Sequence, residues 1–164
     1  MDVCAALRIS GGRRCRDHLP HYEGRLANLL GAGVQACYRG PRLFDSDETK
    51  AVVKKWVSFY QTHREVLDGD IIHLRRANGL DWDGILHVNP AGKEKGLLML
   101  YNPLPQPVTA TLTIPLYYTG LSGTAQIREA DGAAKPYKLD RDYCVKLPVT
   151  IPANRHAWYL IGGG

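Results

Sequence analysis

A chain of 164 residues holds one ordinary domain, or a small domain with a substantial extra piece, and is too short for a complete (β/α)8 barrel, which needs roughly 200 residues. With 45% hydrophobic and 23% charged residues its composition is globular, which excludes a disordered chain. The net charge of +5 sits mainly in residues 1–44, where seven basic side chains face three acidic ones.

Residues 1–21 show no sustained periodicity and read as an irregular basic segment carrying Arg8, Arg13, Arg14 and Arg16. Such an arm could touch phosphates. No aromatic residue within 1–21 offers a base-stacking platform, so a poorly ordered terminus is favoured and no nucleic-acid partner is expected. Nor is a membrane: no apolar run approaches the roughly 20 residues that span a bilayer, and Arg8 interrupts the only early apolar stretch, leaving no signal-peptide core. A soluble chain is the default, and the compartment is not fixed by the sequence.

Residues 22–69 begin with an apolar, glycine-punctuated run. Gly31-x-Gly33-x-x-Ala36 superficially matches a dinucleotide-binding loop, but that loop must open a long helix, and Pro41 arrives too soon. A short strand over residues 34–38, ending in a loop that presents Arg39 and Arg42, fits better. The helix that follows is the clearest local signal. Asp45 can cap its first turn with Glu48 three residues later, and Val52, Trp56, Phe59, Tyr60, His63 and Leu67 recur at spacings of three or four. Asp68, Gly69 and Asp70 end it.

From residue 70 the period changes to two. Strands are expected over 71–75, 84–88, 97–102, 109–116, 124–129, 135–139, 143–151 and 157–161, separated by Asn-Gly, Asn-Pro, Asp-Gly and similar turns. Short strands at this spacing with no helices between them indicate an antiparallel sandwich. Thr109, Thr111 and Thr113 alternate with Ala110, Leu112 and Ile114, giving one wet and one dry face. Residues 162–164, all glycine, read as a flexible tail.

No constellation in the chain makes a convincing catalyst. Asp45/Asp47, Asp81/Asp83 and Asp140/Asp142 are carboxylate pairs of the kind glycoside hydrolysis needs, but they open a helix or sit in turns, where Asp has local structural work. No serine lies in a G-x-S-x-G elbow, and Cys4, Cys15, Cys37 and Cys144 lack zinc-ligand spacing. They read as reduced thiols, Cys37 and Cys144 as small buried ones. No catalytic residue, metal or cofactor is therefore expected. Exposed aromatics on a sandwich could stack on sugars. Trp82, Tyr117, Tyr118 and Trp158 are the candidates, Trp82 and Tyr118 foremost; Tyr117 and Tyr118 in an extended strand would point to opposite faces, one wet and one buried.

Residues 28–45 (NLLGAGVQACYRGPRLFD) with 47–76 (DETKAVVKKWVSFYQTHREVLDGDIIHLRR) resemble the end of the catalytic barrel of α-galactosidase-like glycoside hydrolases. Residues 84–90 (GILHVNP) and 93–121 (KEKGLLMLYNPLPQPVTATLTIPLYYTGL) resemble their C-terminal β-sandwich. The resemblance implies a mainly β fold: an antiparallel β-sandwich over 70–161, preceded by one long amphipathic helix within a remnant of a (β/α)8 barrel over 22–69. It makes 34–38 the last barrel strand, so that Tyr38, Arg39 and Arg42 would border a sugar site in a complete enzyme. It implies a carbohydrate partner for the parent, and a missing barrel domain or self-association for this chain. The family's catalytic aspartates belong to barrel strands absent here, so the chain reads as a C-terminal fragment not catalytic alone. A carbohydrate-binding sandwich module, or a small glycosidase completed by oligomerisation, are the alternatives.

Overall fold

The computed structural model describes residues 18–34, 44 and 46–163, which form two helices and eight strands. The helices are α1 (Leu19–Leu30) and α2 (Asp47–Leu67). The strands are β1 (Asp70–His73), β2 (Asp83–Val88), β3 (Gly96–Asn102), β4 (Val108–Pro115), β5 (Thr124–Glu129), β6 (Lys135–Lys138), β7 (Cys144–Ile151) and β8 (Arg155–Gly163). The chain divides into two compact units, Met1–His63 and Arg64–Gly164.

In the first unit, α1 starts with Pro20 in its opening turn, where a missing N–H costs nothing, and buries Leu26, Ala27 and Leu30. Its end explains the glycine punctuation. Gly33 takes a left-handed φ of 72°, its N–H donates to Leu30 O, and Val34 N–H donates to Leu29 O. These two bonds are the Schellman pattern that closes a helix C-terminus. Gly31-x-Gly33 is thus a helix terminator. The expected irregular segment over 1–21 gives way to helix at Leu19, which the sequence reading did not anticipate.

At the start of α2, Ser46 Oγ accepts from Thr49 N–H at 3.2 Å and lies 2.8 Å from the Thr49 hydroxyl, as an N-cap does, while Asp45, the expected cap, lies outside the described residues. Asp47 and Glu48 then fall in the first turn, where carboxylates interact well with the helix dipole. Trp56, Phe59 and His63 stack edge-on along one stripe, with centroids 5.1 and 5.0 Å apart, as the three-and-four spacing requires. Lys55 reaches Glu23 of α1 at 2.6 Å. The strand expected over 34–38 lies outside the described residues except for Val34, which is exposed and not in a strand.

The second unit is the sandwich. Six strands form an antiparallel sheet in the order β1-β2-β3-β8-β5-β6, and β4 pairs with β7 in a second sheet. All eight expected strands are present, with ends shifted by at most two residues. The wet face of β4 is as the alternation predicts: Thr109, Thr111 and Thr113 are exposed, while Leu112 and Ile114 are buried. The dry faces meet in one core of Leu86, Val88, Leu98 and Leu100 against Ile114, Val145, Leu147 and Ile151. β2 and β3 are buried on both faces, so the period of two expected from residue 70 does not hold in them.

Two devices set the strand ends. At the junction of α2 and β1, a Cβ on Gly69 would collide with the carbonyl oxygen of Val88, so only glycine lets the chain pass the end of β2. At the end of β3, buried Asn102 donates from Nδ2 to Gln106 O and to the carbonyls of Ile151 and Pro152, and accepts Leu104 N–H on Oδ1. That one amide ties the β3–β4 loop to the end of β7.

Candidate functional site

The sequence between β4 and β5 builds a surface that the extended-strand reading missed. Residues Tyr117–Thr119 form a 3-10 turn, whose period of three puts Leu116 and Thr119 on one side. Both are buried. The Thr119 hydroxyl donates to Leu116 O at 2.6 Å and accepts Leu121 N–H, while Gly120, at φ 72°, closes the turn. With Leu116 and Thr119 pinned inward, Tyr117 and Tyr118 both face solvent, 62% and 63% exposed. The expectation that one would be wet and one buried is overturned because the pair is not extended.

A third ring joins them from the start of β7. Tyr143 has a left-handed φ of 58°, a conformation that costs a non-glycine residue on the order of 1–2 kcal/mol. The preceding loop holds it there. Asp140 Oδ1 accepts the N–H groups of Asp142 and Cys144, each at 2.9 Å, and Asp140 O accepts Tyr143 N–H. Tyr143 O in turn accepts Leu116 N–H at 2.9 Å, coupling this loop to the 3-10 turn. Tyr117 lies 5.2 Å from Tyr118 and 5.4 Å from Tyr143, with interplanar angles of 88° and 82°. Cys144 is a free thiol but only half-buried, not the small core residue expected. Its thiol is pushed up by burial, then by the charges of Asp140 and Asp142.

Trp82 stands elsewhere. It packs against the sandwich core and carries the Arg75 guanidinium 5.1 Å from its ring centre. Trp82 immediately precedes β2, whereas Gly120 lies against the Pro90 ring just past the far end of that strand. A six-residue strand separates the two places by on the order of 20 Å, so Trp82 and Tyr118 are not one stacking pair. Tyr38, Arg39 and Arg42 lie outside the described residues, as do Cys4, Cys15 and Cys37.

Several of the carboxylates have local roles, and Asp45 lies outside the described residues. Asp81 accepts from Arg75 at 2.6 Å and from Trp82 N–H at 2.7 Å, and these bonds, the Arg75 one foremost, hold its carboxyl below the usual 3.8. Asp83 is raised by burial, against the opposing charges of Arg75 and His73. Asp140 spends its side chain on the loop described above, and Asp47 sits in the first turn of α2. Among the described residues no group of three or more His, Cys, Asp or Glu side chains converges on a metal position. Among the described residues no helix is long and apolar enough to cross a membrane.

A separate hollow of about 290 Å³ is lined by Ile127, Glu129, Lys135, Tyr137, Leu147 and Tyr159. The Tyr159 phenol is pushed up to about 12, first by burial and then by the Glu129 charge.

The fold and these surfaces define a two-sheet β-sandwich preceded by helices. No family model matches the sequence, and no curated protein matches it. Solved structures do. A GH27 β-L-arabinopyranosidase from Geobacillus stearothermophilus superposes with a TM-score of 0.58 at 13% identity, over 94% of this chain and 33% of that one. α-Galactosidase I from Mortierella vinacea gives 0.53 at 12% identity, over 94% and 38%. AmyP, solved in complex with maltose, gives 0.52 at 7% identity, over 93% and 36%. At these identities the likeness is one of fold. The chain spans about a third of the length of the glycoside hydrolases it matches.

Proposed function

We propose that this chain corresponds to the C-terminal portion of an α-galactosidase-like glycoside hydrolase. The sandwich would support the barrel, and the chain would not be catalytic alone. The observation that carries the reading is the extent of the likeness: 94% of this chain, helices included, superposes on one third of an arabinopyranosidase. The arrangement of the acidic residues supports the non-catalytic half. Asp81 and Asp140 have hydrogen-bond partners in their own loops, and Asp47 sits in the first turn of α2. In the complete enzyme Tyr38, Arg39 and Arg42 would border the sugar site, where arginine can donate to hydroxyls or hold a carboxylate charged.

A barrel layer cut from its neighbours should expose apolar side chains. In the first unit Leu29, Val34 and Phe44 are 43%, 50% and 39% exposed. The C-terminal motif of α1 brings Leu29 and Val34 together in the backbone bond between them. Self-association through this surface, or a missing barrel domain over it, follows. Sedimentation of the purified chain tests it: concentration-dependent association, reduced in Leu29→Ser/Val34→Ser, is the expected result. A monomer at all concentrations removes the physical support for a missing layer.

A further inference from the structure

We propose that Tyr117, Tyr118 and Tyr143 form a stacking platform for the pyranose rings of a glycan, carried by the sandwich itself. The proposal takes its ligand class from the carbohydrate reading above but needs only the sandwich, so it can hold if the barrel reading fails.

Three independent features of the chain put these rings in water. The 3-10 turn buries its flanks, Leu116 and Thr119, and leaves 117 and 118 outside. Tyr143 is kept in a left-handed conformation by three hydrogen bonds to Asp140, and a strained residue that the surrounding loop over-determines is a recurring mark of ligand clamps. The bond from Leu116 N–H to Tyr143 O fixes the two segments to each other. The rings are therefore presented on a rigid base, and little side-chain freedom beyond χ1 and χ2 is lost on binding.

The chemistry selects the ligand. A pyranose offers a C–H face and a rim of hydroxyls, so it needs an apolar surface with hydrogen-bonding groups at its border. All three residues are phenols, each a flat apolar face with its own donor and acceptor. Near right angles between Tyr117 and its two neighbours aim ring faces in different directions, which suits successive sugar units rather than one flat surface. Beside Tyr143, Arg141 and Asp142 are 94% and 75% exposed and only loosely paired at 3.9 Å, leaving both able to meet hydroxyls.

The test is affinity electrophoresis of the whole chain in gels containing galactomannan, arabinogalactan or amylose, alongside sedimentation of the same samples. Retardation by at least one polysaccharide is expected. Tyr117→Ala and Tyr118→Ala should each weaken it on the order of tenfold, Tyr118→Phe should keep most of it, and thermal midpoints should barely move because the rings are exposed. No retardation by any of the three, or retardation unchanged in the Tyr117→Ala/Tyr118→Ala variant, overturns the proposal. So does a dimer that this double variant dissolves, which would assign the rings to a second copy of the chain. None of these outcomes bears on the Leu29/Val34 surface, so the two readings fail separately.

Discussion

Thr119 shows how one small polar side chain can set a surface. Its hydroxyl satisfies Leu116 O and Leu121 N–H inside the protein, and that pair of bonds is what turns both tyrosines outward. Thr119→Val keeps the shape and removes both side-chain bonds; Leu116 O keeps the Thr119 backbone N–H, but the part-buried Leu121 N–H loses its hydroxyl partner. A loss of about 1–3 kcal/mol in urea unfolding is expected, with near-normal stability on Thr119→Ser. Asp81 gives the pH-dependent counterpart. Its carboxyl is lowered by Arg75 and the Trp82 N–H, so its contribution is present above the ordinary 3.8 and is lost as pH falls through the lowered value. Thermal midpoints of wild type and Asp81→Asn should therefore differ at neutral pH and converge in acid. Asp83 has the opposite sign: burial raises it, so it opposes folding as pH rises past 3.8.

At the scale of elements, glycines decide two junctions. Gly69→Ala would drive a methyl group into Val88 O, backbone against backbone, and should destabilise by about 2 kcal/mol or more as α2 and β1 shift apart. Gly33→Ala forces alanine into a left-handed φ at the end of α1 and should cost about 1 kcal/mol, measured by helical signal and thermal midpoint. The same elements show what a sequence can and cannot disclose. All eight strands were legible because alternation and turn residues are local signals, and β4 keeps its threonines wet as read. The stripe of α2 was legible for the same reason, and Ser46 Oγ accepts Thr49 N–H at its start. α1 was not legible: Gly24, Pro20 and the Gly31-x-Gly33 pair look like breakers until the Schellman bonds show the second pair to be its stop. The tyrosine platform was half legible. Tyr118 stood out as a wet aromatic, but a 3-10 turn carries no period-two signature, and nothing local in the sequence announces that Tyr143 adopts positive φ.

At the scale of the molecule, two units of different character share one chain. The sandwich has a core running from Leu86 to Ile161 and satisfied loop amides such as Asn102. The first unit offers two helices and exposed Leu29, Val34 and Phe44, which fits a layer designed for neighbours. As proposed above, the chain would carry the support of a glycoside hydrolase and not its chemistry. The most direct test is turnover of an aryl α-galactoside by the purified chain at high protein concentration. No rate above buffer is expected from the wild type or from Asp81→Asn or Asp83→Asn. A rate proportional to protein concentration and abolished by either substitution would contradict it.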